Sequence, residues 1–216
     1  MLNHVIFHCT NQDCGFRFPF QPERQPLTIC PRCGSDHFSI EPNYESVKVN
    51  KSAPVPEQQV IEVVLENIRS AFNVGSIFRT SDSAGITALH ICGMTPTPEN
   101  PKVSKTALGS EFSLPWQFHP NSLELIQQRH DQGYQILALE GGDEAIPLQD
   151  VIFTLSPEPI LLIVGSEVSG LDPKILSLCN SIVSIPMLGF KDSLNVAVAY
   201  GIAAYFLRYF PRAKSN

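Results

Sequence analysis

Five short apolar runs lie in the second, larger part of the chain, at residues 60–65, 86–91, 134–139, 160–164 and 182–185. Each run is mostly apolar and does not alternate regularly with polar residues, which is typical of strands that are buried on both faces of a sheet. Helical patterns occupy the stretches near 73–84, 121–132, 172–179 and 193–209. This alternation predicts an α/β fold with a mostly parallel sheet and helices on both faces.

Two of these helices have recognisable ends. Asn73 is a reasonable N-cap for the helix that reaches Ala84, and Gly85 is a suitable C-terminal stop. The helix over 193–209 is the most apolar stretch of the chain, and Asp192 or Ser193 could cap it. It barely reaches the length of a bilayer and contains polar residues, so we expect a buried helix and no membrane partner.

The first 40 residues hold four of the six cysteines, arranged as C-x4-C at Cys9 and Cys14 and as C-x2-C at Cys30 and Cys33. Paired cysteines of this spacing favour tetrahedral zinc. A unit this small also lacks a sufficient hydrophobic core and needs a metal ion or another cross-link to stabilise it. Four unrelated buried thiols, or a redox pair in the C-x2-C segment, are the alternatives.

Other residues leave the zinc interpretation open in detail. His8 and His37 flank the cysteine pairs and could replace one ligand. Cys92 and Cys179 stand alone on apolar segments and are interpreted as ordinary core residues.

Three regions follow from these patterns: a zinc-ribbon-like module at 1–40, a proline-containing linker at 41–59 and a larger domain at 60–216. Residues 1–9 lack the basic and apolar regions of a signal peptide, so we expect a cytoplasmic protein with reduced cysteines. The formal net charge of −6 disfavours undirected nucleic-acid binding, and any RNA contact must be local.

Polar residues concentrate in a first segment at 67–80, which leaves the strand at 60–65 and enters the following helix. Exposed helix amides, Asn73 and Arg79 would together suit a phosphate or a ribose. Alternatively, Asn73 merely caps the helix and Arg79 pairs with Asp82 or Ser83 on its surface.

Two further segments combine glycines with polar residues. At 165–171 the sequence G-S-E-V-S-G-L follows a buried strand, at the end where open α/β sheets bind ligands, although Gly165 and Gly170 could be plain turn residues and Glu167 merely solvated. At 185–196 the sequence I-P-M-L-G-F-K-D-S-L-N-V places Asn195 in the first turn of an apolar helix. A buried asparagine there must find a hydrogen bond, which favours a site.

Taken in order, N-x-G-x-x-x-R, G-S-E-x-x-G-L and I-P-M-x-G-x-x-x-S-L-N-V resemble the three motifs of SpoU/TrmH-like RNA ribose methyltransferases of the SPOUT superfamily. The resemblance spans 60–210, and the segment K-T-A-L-G-S-E at 105–111 is similar to one found between the first two motifs. It implies a knotted α/β fold with a C-terminal trefoil, a homodimer with cofactor sites near its interface, and S-adenosylmethionine-dependent 2′-O-methylation of tRNA or rRNA ribose.

The resemblance also assigns residues. It implies catalytic or polar site positions at Arg79, Asn73, Glu167, Ser193 and Asn195. It implies cofactor binding by Leu139, Gly165, Ile185, Met187 and Leu194, with Glu140 as an alternative to Leu139. The sequence departs from the family pattern at Ala197, where a second serine is usual, and in carrying the cysteine module instead of a familiar RNA-binding extension.

A guanidinium is hard to deprotonate in any protein, so we expect Arg79 to act electrostatically, with Ser193, Asn195 or Glu167 orienting the hydroxyl and relaying its proton. Two other classes of function stay open at this point. One is a non-catalytic RNA-binding protein that retains the fold. The other is a zinc-dependent DNA-binding factor, which would leave 60–210 unexplained.

Overall fold

A computed structural model describes residues 4–41, 59–151, 155 and 157–209. The chain divides into two compact units, Met1–Val55 and Pro56–Asn216. Except at its two ends, the linker predicted over 41–59 lies outside the described residues, and the three domain limits stay predictions.

The N-terminal unit contains a three-stranded antiparallel sheet. Its central strand β1 (Val5–Cys9) pairs with β2 (Arg17–Phe20) on one side and with β3 (Phe38–Glu41) on the other. Phe7 fills the core, with ring centroids 5.2 Å from Phe18 and 4.8 Å from Phe38. Neither face of β1 is fully exposed, because its residues are either buried or partly buried. The strand therefore lacks the regular alternation of apolar and polar residues that marks a half-exposed strand.

The larger unit is built on a seven-stranded sheet in which every pairing is parallel. Its strands are β4 (Ile61–Glu66), β5 (Ala88–Cys92), β6 (Trp116–His119), β7 (Gln135–Leu139), β8 (Ile146–Pro147), β9 (Ile160–Val164) and β10 (Ser181–Ser184). The spatial order is β6-β5-β4-β9-β7-β10-β8. The predicted parallel sheet is therefore confirmed, and five of its strands were found from the sequence to within two residues.

In the described part of the chain, six α-helices accompany the sheet: α1 (Ala71–Ala84), α2 (Pro101–Ala107), α3 (Ser122–Asp131), α4 (Leu148–Val151), α5 (Pro173–Leu176) and α6 (Val196–Tyr209). Alternate residues of the central strands enter two separate cores. Val63 belongs to the core that contains residues of α1 and α6, whereas Val64 belongs to the core that contains residues of α3 and α5. Helices thus cover both faces, as the continuous apolar strands predicted.

Three helix ends differ from expectation. Ser70, not Asn73, caps α1, because its Oγ accepts a hydrogen bond from the Asn73 backbone amide at 3.3 Å. Asn195 itself caps α6, with Oδ1 accepting from the Ala197 amide at 2.9 Å, so the helix begins at Val196 and neither proposed cap is used. The helix predicted over 172–179 is only the single turn α5, capped by Asp172.

Gly85 closes α1 as predicted, in the left-handed conformation with φ 68°. The elements that the sequence missed are the three strands of the N-terminal unit and, in the larger unit, β6, β8, α2 and α4, which are short or lie towards the sheet edges. Among the described residues, none of the helices has both the length and the apolar character needed to cross a bilayer.

Candidate active site

The carboxyl ends of β7, β9 and β10 surround a cavity of about 450 Å³. All five residues predicted to bind the cofactor line it: Leu139, Gly165, Ile185, Met187 and Leu194. They come from three separate segments of the chain. The cavity is within the size range of small-molecule sites and lies where parallel sheets usually bind ligands.

The loop after β9 shapes one wall of this cavity and depends on a close approach at Gly165. A Cβ atom there would lie 2.8 Å from Cγ of Leu171 and 2.9 Å from the carbonyl carbon of Gly170. The Leu171 amide donates a hydrogen bond to the Glu140 carboxylate at 3.0 Å. Glu140 therefore holds the loop, a role that its position in the sequence did not reveal.

Polar residues from all three motifs form one hydrogen-bonded chain at the cavity. Asn195 Nδ2 donates to Asn73 Oδ1 at 3.2 Å, and Asn73 Nδ2 donates to Glu167 Oε1 at 2.9 Å. The backbone amide of Arg69 donates to Glu167 Oε2 at 3.1 Å. Because Ser70 rather than Asn73 caps α1, the Asn73 side chain is free to make both contacts.

These contacts set the charge of Glu167. Partial burial opposes ionisation, but hydrogen bonds from Asn73 and from backbone amides, including that of Arg69, hold the pKa of Glu167 below its usual value. The carboxylate is thus ionised at neutral pH. Glu167, Ser193 and Asn195 all line the cavity, although Ser193 makes only a long contact to Asp192, at 3.5 Å.

Arg79 lies apart from these residues within one chain. It follows Asn73 by six positions, which turns it by about 240° around the helix axis to another face of α1. It lines a second cavity, of about 500 Å³, together with Lys105 and Tyr205. Asp82 instead accepts a hydrogen bond from Ser113 at 2.7 Å, and in the described part of the chain Arg79 makes no ion pair.

The glycine of the first motif explains how Lys105 comes to lie beside Arg79. A Cβ atom at Gly75 would lie 2.1 Å from Thr106 Oγ1 and 2.2 Å from the Val103 carbonyl oxygen. Only glycine allows α1 and α2 to approach so closely. Lys105 belongs to the segment 105–111, which the sequence singled out only by similarity. It places a second cation in the cavity lined by Arg79, which we call the Arg79 groove.

The four paired cysteines converge in the N-terminal unit. Their sulfur atoms all lie within 4.8 Å of one another. The Sγ atoms of Cys9 and Cys33 are 3.7 Å apart and those of Cys14 and Cys30 are 3.8 Å apart. A tetrahedral zinc with Zn–S bonds of about 2.3 Å requires sulfur atoms about 3.8 Å apart, so the donor set fits the metal.

The surroundings of the cysteines agree with this fit. None of the four cysteines forms a disulfide, so all four sulfur atoms are available as ligands. The turns after each pair use Gly15 and Gly34 at φ 56° and 74°. The four cysteines already complete a tetrahedral set, and His8 and His37 lie instead beside the carboxylates of Glu41 and Asp36.

The model of the SpoU rRNA Methylase family matches residues 60–205. The chain belongs to the SpoU methylase family. The matched residues contain the whole cavity, the Asn195–Asn73–Glu167 chain and Arg79, whereas the four paired cysteines lie outside them.

Members of the SpoU family with similar sequences carry RNA methyltransferase names. A tRNA (guanosine(18)-2′-O)-methyltransferase of Thermus thermophilus is 29% identical over 68% of this chain and 74% of its own. A 23S rRNA (uridine(2479)-2′-O)-methyltransferase of Streptomyces viridochromogenes is 36% identical over 68% of this chain and 51% of its own. An uncharacterised tRNA/rRNA methyltransferase of Synechocystis is 31% identical, and this chain spans 54% of its length.

Solved SpoU structures share the fold. The TrmH/SpoU tRNA modifying enzyme of A. aeolicus has a TM-score of 0.61 at 28% identity, over 68% of this chain and 73% of that one. The SpoU methyltransferase AviRb of Streptomyces viridochromogenes, solved in complex with AdoMet, has a TM-score of 0.59 at 28% identity, over 78% of this chain and 66% of that one.

The departure from the SpoU pattern at Ala197 has a structural context. The Ala197 amide donates to Asn195 Oδ1, and its side chain packs, partly buried, against the core of the domain. The Ala197 side chain takes no part in the hydrogen-bonded chain of Asn195, Asn73 and Glu167.

Proposed function

We propose that this chain transfers a methyl group from S-adenosylmethionine to a ribose 2′-hydroxyl of structured RNA. The main support is the hydrogen-bonded chain from Asn195 through Asn73 to an ionised Glu167, placed at a cavity that residues of the second and third SpoU motifs line. The named relatives act on tRNA or rRNA, and we take these RNA classes as the candidate substrates, with the cytoplasm as the compartment.

S-adenosylmethionine would occupy the cavity of Leu139, Gly165, Ile185, Met187 and Leu194, where it supplies an electrophilic methyl on a sulfonium. The cavity volume suits a ligand of this size, and the AviRb structure contains AdoMet in the same fold. Gly165 lets the loop after β9 fold closely at the cavity wall, because a Cβ atom there would collide with Leu171 and Gly170. The trefoil knot expected in this region stays a prediction.

The polar residues would handle the 2′-hydroxyl. Glu167 carries a negative charge and can accept a hydrogen bond from the hydroxyl, and Ser193 can relay its proton. Asn73 uses both ends of its amide within the protein, so it positions Glu167 and Asn195 and does not itself bind substrate. The guanidinium of Arg79 would bind the neighbouring phosphate and stabilise the developing alkoxide.

We also propose a homodimer formed through α6 and α1. Four half-exposed apolar residues follow one another along α6 at intervals of four, three and four, and so form one apolar face: Val198, Ile202, Tyr205 and Tyr209. Within one chain Arg79 is separated from the cofactor cavity, yet it shares its groove with Tyr205 of this face. A second copy packed on α6 would let Arg79 of the partner subunit approach the cavity.

We propose that Cys9, Cys14, Cys30 and Cys33 bind one structural zinc ion. The support is the convergence of four sulfur atoms at the separation that tetrahedral zinc requires. The ion would reinforce the small aromatic core around Phe7, which is slight for a unit of this size. Four cysteine ligands leave no open coordination position for a substrate, so the proposed role of the ion is structural.

The non-catalytic alternative is less well supported, because Asn73, Arg79, Glu167, Ser193 and Asn195 are all present and three of them, Asn73, Glu167 and Asn195, are hydrogen-bonded to one another. The test uses purified protein, S-adenosylmethionine with a labelled methyl group, and RNA from a strain that lacks the gene. We expect wild-type protein to bind the cofactor and label the RNA. Cofactor binding with no labelling of tRNA or rRNA would contradict the proposed activity.

A further inference from the structure

The loop between β10 and α6 carries two apolar side chains that no part of the described chain covers. The exposed fractions are 101% for Leu188 and 99% for Phe190. Phe190 therefore adds nothing to either core of the methylase domain. Its whole ring is available to something outside the chain.

Phe190 lies close to the proposed chemistry. Met187, three residues before it, and Asp192, Ser193 and Leu194, just after it, all line the cavity assigned to the cofactor. Both arms of the loop are thus anchored at the cavity, with Phe190 between them. A group that stacked on this ring would be held beside the reacting centre.

A cation accompanies the ring. Lys191 Nζ lies 5.9 Å from the centroid of Phe190, over one face, and no described carboxylate forms a salt bridge with it. An exposed aromatic ring next to an unpaired ammonium matches the two parts of a nucleotide, a flat base and an anionic phosphate. In a chain with net charge −6, such a local arrangement is needed to attract RNA.

We propose that Phe190 is the platform on which the base of the nucleotide to be methylated, or its direct neighbour, stacks, and that Lys191 contacts the adjoining phosphate. The proposal rests on the proposed function and adds that the target is unpaired. In a duplex the faces of a base are already stacked on its neighbours, so a side chain can stack only on a splayed base.

A second copy of the chain could cover the same loop instead. That arrangement would need no cation beside the ring and would make Leu188 as important as Phe190. The two occupants therefore predict different results for matched variants.

The binding test places a fluorophore at the ring with Phe190→Trp, against the background of the one native tryptophan, Trp116. The probes are a mixed-sequence single-stranded RNA of about 12 nucleotides and the same strand in a duplex. We expect the single strand to quench the added fluorescence and the duplex to do so far less. Equal or absent quenching by the two probes would overturn the proposal.

The second test compares Phe190→Ala with Leu188→Ala. Loss of one stacked base should weaken affinity for the single strand by roughly 5- to 100-fold in Phe190→Ala, and Phe190→Trp should restore it. Leu188→Ala should change affinity by less than about twofold, and none of the variants should alter cofactor affinity or oligomeric state. Equal losses in both alanine variants, or dissociation of the dimer, would refute stacking.

Lys191→Gln tests the phosphate contact, and we expect the slope of log affinity against log salt to become shallower by about 0.7, the value for one phosphate on a single strand. An unchanged slope would remove Lys191 from the proposal. These readouts do not require turnover. Quenching without methyl transfer would contradict the proposed function alone, whereas methyl transfer without quenching would contradict the platform alone.

Discussion

Asn195 donates a hydrogen bond to Asn73 at 3.2 Å, although 122 residues separate them along the chain. The contact joins the N-cap of α6 to the first turn of α1, and Asn73 in turn donates a hydrogen bond to Glu167. One asparagine therefore aligns the polar groups of the other two motifs.

Replacing Asn73 with alanine removes both of these hydrogen bonds. We expect single-turnover methyl transfer to fall by about 10- to 100-fold while cofactor affinity changes by less than about twofold. The pKa of Glu167 should rise towards its usual value, because the hydrogen bond from Asn73 helps to lower it. The acidic limb of the pH–rate profile should then move to higher pH. Gln127→Ala on the exposed surface of α3 is the control, and an unmoved acidic limb would contradict the assigned role.

Mixing two inactive variants tests whether Arg79 acts across the dimer. Arg79→Ala and Asn195→Ala chains, unfolded together and refolded, should form mixed dimers in about half of the molecules. If Arg79 serves the partner's cavity, one of the two sites in each mixed dimer is intact, and about a quarter of wild-type activity returns. If Arg79 serves its own chain, every site carries one defect and activity does not return.

The zinc prediction is checked by metal analysis and by Cys30→Ser. Protein purified under reducing, metal-replete conditions should contain about one zinc per chain, and the variant should lose most of it. The N-terminal unit should then unfold at a lower temperature, since metal binding and folding of so small a unit are coupled. Cys179→Ser is the matched control, because this cysteine lies outside the cluster. Full zinc occupancy in Cys30→Ser would refute the assignment.

Two glutamates of β4 should respond oppositely to pH. Glu62 is buried, and although burial opposes ionisation, hydrogen bonds from His90, Arg129 and Tyr134 lower its pKa to about 2. Burial instead raises the pKa of Glu66, whose Oε2 has no hydrogen-bond partner among the described residues. Glu62 thus contributes stability above its unfolded pKa that is lost as pH falls towards 2. The contribution of Glu66 is complete at low pH and is lost as pH rises through its raised pKa.

Glu62→Gln should therefore lower the free energy of unfolding at pH 7 by about 3–5 kcal/mol, and the loss should shrink below pH 4. Glu66→Gln keeps the acceptor that Asn67 uses, and at pH 7 it should be neutral or stabilising by about 1 kcal/mol. Denaturant unfolding between pH 3 and 8 measures both. Parallel pH profiles for the two variants would contradict the difference in their surroundings.

The sequence was sufficient for the features that depend on local patterns. Continuous apolar strands predicted a parallel sheet with two covered faces, and cysteine spacing predicted a cluster that the structure brings together. Helix caps were less predictable, because Ser70 and Asn73 are both good capping residues three positions apart. Only the position of Glu167 explains why the asparagine side chain turns away from the helix.

Long-range relationships in the site could not be read from the sequence. The groove of Arg79 depends on the contact of Gly75 with α2, and the second-motif loop depends on Glu140, 31 residues before Leu171. The sequence around Gly75 or Glu140 contains no local pattern that identifies its partner. The same holds for the separation of Arg79 from the cavity, which follows from helix geometry and becomes clear only once the cavity is located.

The position of the transferred methyl group distinguishes methylation of the ribose from methylation of a base. RNA labelled by the wild-type protein is hydrolysed with alkali, which cannot cleave next to a methylated 2′-oxygen because that oxygen no longer attacks the phosphate. We predict that the label appears in alkali-stable dinucleotides and that Arg79→Ala lowers it by about 100- to 1000-fold while still binding the cofactor. Label released as mononucleotides would place the methyl on a base and contradict ribose methylation.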